Sequence, residues 1–159
     1  FRNAKFTEYT YFTDAKFTGY ANFKDAKFTG NADLKNAKFA RGAGFGKAKF
    51  TGKANFGGVI FTEDANFKES YFEKYAPLFA YNSGAARFSD RVNWTDSNFS
   101  VRSGSQPIEL GSATLGDKTV SIPFGTVVFD PDSWDEKTQE YTHMSITCCR
   151  IRRSPHHQE

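Results

Sequence analysis

The chain has 159 residues, a formal net charge of +3 and a hydrophobic content of 38%, which fit one ordinary domain or one solenoid with a cap. Its 18 Phe and 7 Tyr exclude a disordered chain, because disordered sequences are poor in aromatic residues. No stretch approaches the roughly 20 apolar residues that span a bilayer, so no transmembrane segment is predicted.

A large apolar residue recurs from the first residue onward, at steps that alternate between six and five residues after the first step. A small residue, in most cases Ala, stands two positions before it, so the unit is eleven residues with two A-x-F triplets. Each triplet predicts a short strand whose two apolar ends point inward, and the polar spacers predict corners. The predicted core residues are Phe6, Phe12, Phe17, Phe23, Phe28, Leu34, Phe39, Phe45, Phe50, Phe56, Phe61, Phe67 and Phe72.

The triplets carry a family resemblance. Ala15-Lys16-Phe17, Ala26-Lys27-Phe28 and Ala32-Asp33-Leu34 resemble the A-(D/N)-(L/F)-x-x motif of pentapeptide-repeat proteins, and the resemblance covers about two-thirds of the chain. It implies an all-β fold, a right-handed quadrilateral β-helix with four faces per coil. The six-residue steps depart from the strict family period. We expect corners to absorb the extra residues, which include Tyr20, Asn31, Gly42, Lys53 and Asp64.

The pattern falters after Leu78 and returns at Phe88, which predicts a bulge or loop at residues 79–85. We assign residues 1–101 to the repeat, 102–129 to an irregular closing coil, and 130–159 to a short β-rich cap with a polar tail. One last strand is expected between Tyr141 and Ile151, where it would cover the open end of the stack. Because the chain starts at Phe1 inside a repeat, a processed or truncated N-terminus is expected.

The eleven-residue register places a Lys just before the central Phe of alternate faces. These lysines are the candidate interaction surface: Lys5, Lys16, Lys27, Lys38 and Lys49. With four faces per coil, the first, third and fifth should stack on one face and the other two on the opposite face. A binding role competes with a simpler interpretation, in which outward lysines keep strand edges from aggregating.

The distribution of charge along the sequence disfavours two possible functions. Residues 1–103 contain 16 Lys and Arg against 10 Asp and Glu. The best-known activity in the pentapeptide-repeat family, which the sequence resembles, is DNA mimicry, in which an acidic rod binds gyrase and protects it from quinolones. Such topoisomerase binding is the alternative function, and the basic repeat disfavours it. Nucleic-acid binding is not expected either, because the excess charge is modest and no platform of aromatic and basic residues is evident.

Other candidate sites have simpler explanations. Threonines recur every eleven residues, a pattern that could suggest ice binding; they are Thr7, Thr18, Thr29, Thr51 and Thr62. Lysines between them would interrupt the flat surface that ice binding needs, and outward-facing Thr is explained by its preference for β-strands. Possible metal ligands lack zinc-site or EF-hand spacing; they are His143, His156, His157, Cys148, Cys149, Asp130, Asp132, Asp135 and Glu136. Arg150, Arg152 and Arg153 are interpreted as an exposed basic end.

The sequence contains no catalytic triad, nucleophile elbow or phosphate loop, so neither an enzyme nor a cofactor is predicted. We predict a non-enzymatic structural or protein–protein interaction module with rigid flat faces and an unidentified protein partner. The sequence is compatible with a homodimer and with a subunit of a larger assembly. In a larger assembly we expect Tyr9, Tyr20, Trp134 or Tyr141 to lie in the contacts, because aromatic residues are common in interfaces. The localisation is not determined, although the adjacent Cys148 and Cys149 favour a reducing compartment.

Overall fold

The computed structural model describes residues 1–81 and 84–151, and within these ranges it is all-β with no α-helix. Two short 3₁₀ helices span Asp96–Phe99 and Pro131–Ser133. Among the described residues, no helix is long and apolar enough to cross a membrane. The strands are β1 Lys5–Phe6, β2 Thr10–Tyr11, β3 Lys16–Phe17, β4 Ala21–Asn22, β5 Lys27–Phe28, β6 Ala32–Asp33, β7 Lys38–Phe39, β8 Ala43–Gly44, β9 Lys49–Phe50, β10 Ala54–Asn55, β11 Ile60–Phe61, β12 Ala65–Asn66, β13 Tyr71–Phe72, β14 Ala80–Tyr81, β15 Gly84–Ala85, β16 Arg87–Ser89, β17 Leu110–Leu115, β18 Lys118–Pro123, β19 Val127–Phe129, β20 Trp134–Asp135, β21 Glu140–Tyr141, β22 Met144–Ile146 and β23 Cys149–Arg150.

The first thirteen strands form about three turns of a four-sided solenoid, in which each strand pairs in parallel with the strand four places later. Face I contains β1, β5, β9 and β13, and face II contains β2, β6 and β10. Face III contains β3, β7 and β11, and face IV contains β4, β8 and β12. Paired residues such as Lys5 and Lys27 are 22 positions apart, so two eleven-residue units make one coil. The predicted quadrilateral β-helix is confirmed.

Two kinds of corner alternate around each coil. The five-residue steps close with a four-residue turn, as where the Ala26 N–H donates to the Phe23 carbonyl at 3.0 Å. The third residue of each turn has φ near +60°, which a type II turn requires and which Asn and Asp tolerate well. The non-glycine residues at this position are Asn3, Asp14, Asp25, Asn36, Lys47 and Glu69. The six-residue steps form the other corners, where the extra residue is absorbed.

The core consists of four columns of inward side chains, one along each face. In the regular coils three columns are phenylalanine throughout, and the face II column has Leu34 between Phe12 and Phe56. Phe23 and Phe67 stack on either side of Phe45, with ring centroids 4.9 Å apart in both pairs and nearly parallel planes. On face I, Phe28 and Phe50 stack at 4.7 Å. All the predicted core residues from Phe23 to Phe72 are buried. Phe6, Phe12 and Phe17 in the first coil are half-buried against them.

Beyond β13 the coils continue with insertions. Leu78 bridges to Asn55 on face II, and Arg87 pairs with Ile60 on face III, so the β14–β15 hairpin leaves the coil between these two faces. This hairpin occupies the predicted interruption at residues 79–85, of which 82 and 83 lie outside the described residues. The β17–β18 hairpin is inserted later, before β19 returns the chain to face III.

The C-terminal segment differs from the expected single strand between Tyr141 and Ile151. The chain there forms three short strands, β21, β22 and β23, which pair with β20, β19 and β17 respectively. One continuous strand cannot reach three partners in different sheets, so the chain turns between them. Residues 152–159 of the predicted cap and polar tail at 130–159 lie outside the described residues, and the boundaries at 101 and 129 remain predictions.

Candidate interaction surface

The candidate lysines fall on two opposite faces. Lys5, Lys27 and Lys49 are Cα partners in consecutive strands of face I. Lys16 and Lys38 are partners on face III. Strands in a sheet lie about 4.8 Å apart, so each column sets like charges side by side.

The face I column extends further than the lysine period indicates. Tyr71 follows Lys49 in register, and Arg102 follows Tyr71. The Arg102 N–H donates to the Ser70 carbonyl at 2.8 Å, just as the Tyr71 N–H donates to the Ala48 carbonyl at 2.9 Å. The Arg102 guanidinium lies 5.1 Å from the centroid of the Tyr71 ring, and the Lys49 ammonium lies 5.8 Å from it. Sequence reasoning missed Arg102 because it ended the repeat at residue 101 and assigned residues 102–129 to an irregular closing coil.

The corner between faces IV and I adds more positive charge. Its turns, such as Phe23–Ala26 and Phe67–Ser70, contain Lys24 and Lys68 beside face I. We name the cations of this corner and of face I the basic ridge: Arg2, Lys5, Lys24, Lys27, Lys47, Lys49, Lys68 and Arg102.

The basic ridge contains the whole charge excess of the repeat. It has eight cations against two carboxylates, Asp25 and Glu69, while residues 1–103 contain 16 Lys and Arg and 10 Asp and Glu. The rest of residues 1–103 is therefore balanced. Among the described residues, the ridge has one ion pair, in which the Lys47 ammonium lies 3.8 Å from a Glu69 carboxylate oxygen.

A shallow groove of about 680 Å³ runs along the ridge. Four cations line it, Lys27, Lys47, Lys49 and Arg102, together with Asn3, Asp25 and Glu69. The groove is open and lies on the flat face rather than enclosing a volume. Its shape suits an extended or flat partner surface better than a small molecule.

Face III is less basic and partly covered. Above Lys38 its outward column continues with Ile60, Arg87 and Val127. The Arg87 guanidinium lies 5.9 Å from the centroid of the Tyr141 ring, so this cation packs under the C-terminal segment. Of the two lysine faces, face I is the one that stays basic along its length.

The polar residues of faces II and IV stabilise the corners. The Asn22 Oδ1 accepts a hydrogen bond from the Lys24 N–H at 2.9 Å, and the Asn66 Oδ1 accepts from the Lys68 N–H at 2.8 Å. Asp33 and Asn55 do the same for the backbone two residues on, at 3.0 and 2.8 Å. These oxygens hold their own turns, which explains Asn and Asp at these positions.

The remaining candidates do not assemble into a site among the described residues. Thr7, Thr29 and Thr51 follow face I whereas Thr18 and Thr62 follow face III, so the threonines lie along two separate corners. Within residues 1–81 and 84–151, no three His, Cys, Asp or Glu side chains come together as a metal site would require. His156, His157, Arg152 and Arg153 lie outside this part of the chain.

The two cysteines are free and exposed. A hydrogen bond with Cys148 and the charge of that neighbour raise the pKa of the Cys149 thiol. The Cys148 Sγ lies 3.8 Å from the Ser112 carbonyl oxygen of β17. A raised pKa keeps the Cys149 thiol protonated and therefore weakly nucleophilic.

An acidic hairpin lies on the opposite side of the rod from the basic ridge. We use this name for residues 130–141, which include β20 and β21 and contain Asp130, Asp132, Asp135, Glu136 and Glu140 against Lys137. Tyr141 packs on Phe129 with ring centroids 4.7 Å apart and on Trp134 at 5.0 Å. Together with the Arg87 contact, this packing holds the hairpin beside the upper part of face III.

Comparison with known proteins agrees with this architecture. A family model described as pentapeptide repeats, nine copies, matches residues 23–70, which lie within the regular coils. No match to the chain was found among curated proteins or among solved structures.

Proposed function

Because the chain belongs to the pentapeptide-repeat family, we propose that it is a non-enzymatic module that binds a partner protein through the basic face I of its solenoid. Proteins of this family are typically non-enzymatic. The observation that carries the proposal is the in-register column of Lys5, Lys27 and Lys49, which Arg102 extends. A preformed β-face loses little conformational entropy on binding, so even modest contacts can give useful affinity.

Charge is the reason for preferring this function over topoisomerase protection by DNA mimicry. A DNA mimic needs rows of negative charge that imitate phosphates, and face I presents rows of positive charge. On face II, Asp33 lies in register between Tyr11 and Asn55, so that face presents a single carboxylate and not a row. Direct nucleic-acid binding also lacks support, because Tyr71 is a single aromatic between two cations rather than a series of stacking platforms.

Two charge-matched variants test the proposal in a native pull-down with mass spectrometry. One changes Lys27 and Lys49 of face I to Gln, and the other changes Lys16 and Lys38 of face III to Gln. We expect a partner of the unaltered protein to be lost with the face I variant and kept with the face III variant. Equal retention by both variants, or no partner at all, would contradict a binding role for face I. Recovery of a topoisomerase would support the alternative.

A further inference from the structure

The basic ridge and the acidic hairpin are complementary surfaces of one chain. Two of the hairpin's carboxylates are already engaged, because Asp132 pairs with Arg91 and Asp130 lies 3.9 Å from the His143 ring. Asp135, Glu136 and Glu140 form no ion pair among the described residues. Trp134, 41% exposed, stands beside them as an aromatic anchor of the type found in protein interfaces.

Both surfaces are electrostatically unfavourable when they are alone. Asp135 and Glu140 are directly opposite Cα partners across the two strands of the hairpin. Like charges facing each other in this way destabilise a strand pair. Lys27 and Lys49 are likewise Cα partners on face I, and neither forms an ion pair in the described chain. In both pairs the two charged residues lie on neighbouring strands, about 5 Å apart. The two carboxylates can therefore each contact one of the two lysines at the same time.

The two surfaces of one molecule cannot reach each other. The acidic hairpin is held beside face III by the contact of Tyr141 with Arg87. Face I lies on the opposite side of the four-sided coil, with the phenylalanine core between them. Only a hairpin from another molecule can meet the ridge.

We propose that the basic ridge of one copy binds the acidic hairpin of a second copy. This inference rests on the proposed function, because it names a second copy of the chain as the partner that binds face I. The contact is heterologous, because different surfaces meet, so an open assembly of any size keeps one unused ridge at one end and one unused hairpin at the other. Association therefore proceeds beyond dimers as concentration rises, unless the rotation between copies closes a ring. Salt weakens it, since exposed charges are screened.

Sedimentation velocity of the full chain in about 0.05 M and about 0.5 M NaCl tests the proposal. We expect concentration-dependent assembly in low salt that weakens at least about tenfold in high salt. Lys27→Glu with Lys49→Glu, and separately Asp135→Lys with Glu140→Lys, should each leave a monomer. Lys16→Glu with Lys38→Glu is the charge-matched control and should assemble like the unaltered protein.

Mixing the two reversed variants gives the decisive result. The reversed charges at positions 27 and 49 of one variant then face the reversed charges at positions 135 and 140 of the other. The unaltered hairpin of the first and the unaltered ridge of the second also match, so assembly should return in the mixture. An unaltered protein that stays monomeric in low salt would overturn the inference, as would a mixture that stays monomeric. If the pull-down nevertheless shows a different partner that depends on face I, the proposed function stands without self-association.

Discussion

Replacing Phe45 by Ala tests whether stacking of the aromatic columns holds the coils together. Phe45 is 0% exposed and lies between Phe23 and Phe67, with ring centroids 4.9 Å away on each side. Removing a buried ring of this size loses about 3 kcal/mol of apolar burial at about 25 cal/mol per Å². Two lost stacking contacts add roughly 0.5 kcal/mol or more each, so we expect a total loss of about 4 kcal/mol.

Urea unfolding followed by far-ultraviolet circular dichroism measures this loss, and two variants serve as controls. Phe45→Leu should lose only about 1.5 kcal/mol, because Leu34 shows that the coil accommodates a buried leucine in a neighbouring column. Phe12→Ala should lose about 2 kcal/mol, since Phe12 is half-buried in the first coil and stacks on no ring in parallel. A loss at Phe45 no larger than at Phe12 would refute the reasoning that stacked, buried rings join the coils.

Two further predictions concern the corners, with the free energy of unfolding as the measurement in both. Gly30→Ala should destabilise by about 2 kcal/mol, because the new Cβ would lie 2.7 Å from the backbone carbonyl of Glu8 in the preceding coil. Gly19→Ala, eleven residues earlier, meets nothing within 4 Å and should change stability little; equal effects at the two glycines would contradict this account. Glu69→Asn should stabilise by roughly 0.5 kcal/mol, since Asn tolerates the φ of 61° at this position better. Glu63→Asn at the other kind of corner should bring no gain, and an equal gain there would show that backbone strain is not the cause.

The regular coils could be predicted from sequence because every structural requirement there recurs locally. Each A-x-F triplet supplies two inward apolar side chains, and the register that pairs Lys27 with Lys5 follows from the length of two repeat units. The corner residues are equally local, because Asn22 hydrogen-bonds to the backbone only two residues away. Because these requirements act over a few residues, the residues that meet them recur in the sequence with the period of the repeat.

The later coils could not be read in the same way, because insertions separate residues that pair. Tyr71 and Arg102 are 31 positions apart in the sequence, whereas earlier members of the column are 22 positions apart. One sequence feature indicates where the register returns: Asn98-Phe99 repeats Asn66-Phe67. The structure agrees, because the Phe67 N–H donates to the Asn98 carbonyl. The cap was harder still, since pairing of β17 with β23 joins distant segments that have no common period.

The length of the coil also determines which changes of chain length the rod can accommodate. Removing 22 residues from the regular part deletes one complete coil, and every downstream residue keeps its place on its face. Removing eleven instead rotates the remainder by half a turn, which would carry Lys49 from the side of Lys5 to the side of Lys16. Gene duplications and deletions in whole-coil increments would therefore lengthen or shorten the positively charged edge without interrupting it, whereas half-coil increments would split it between two sides.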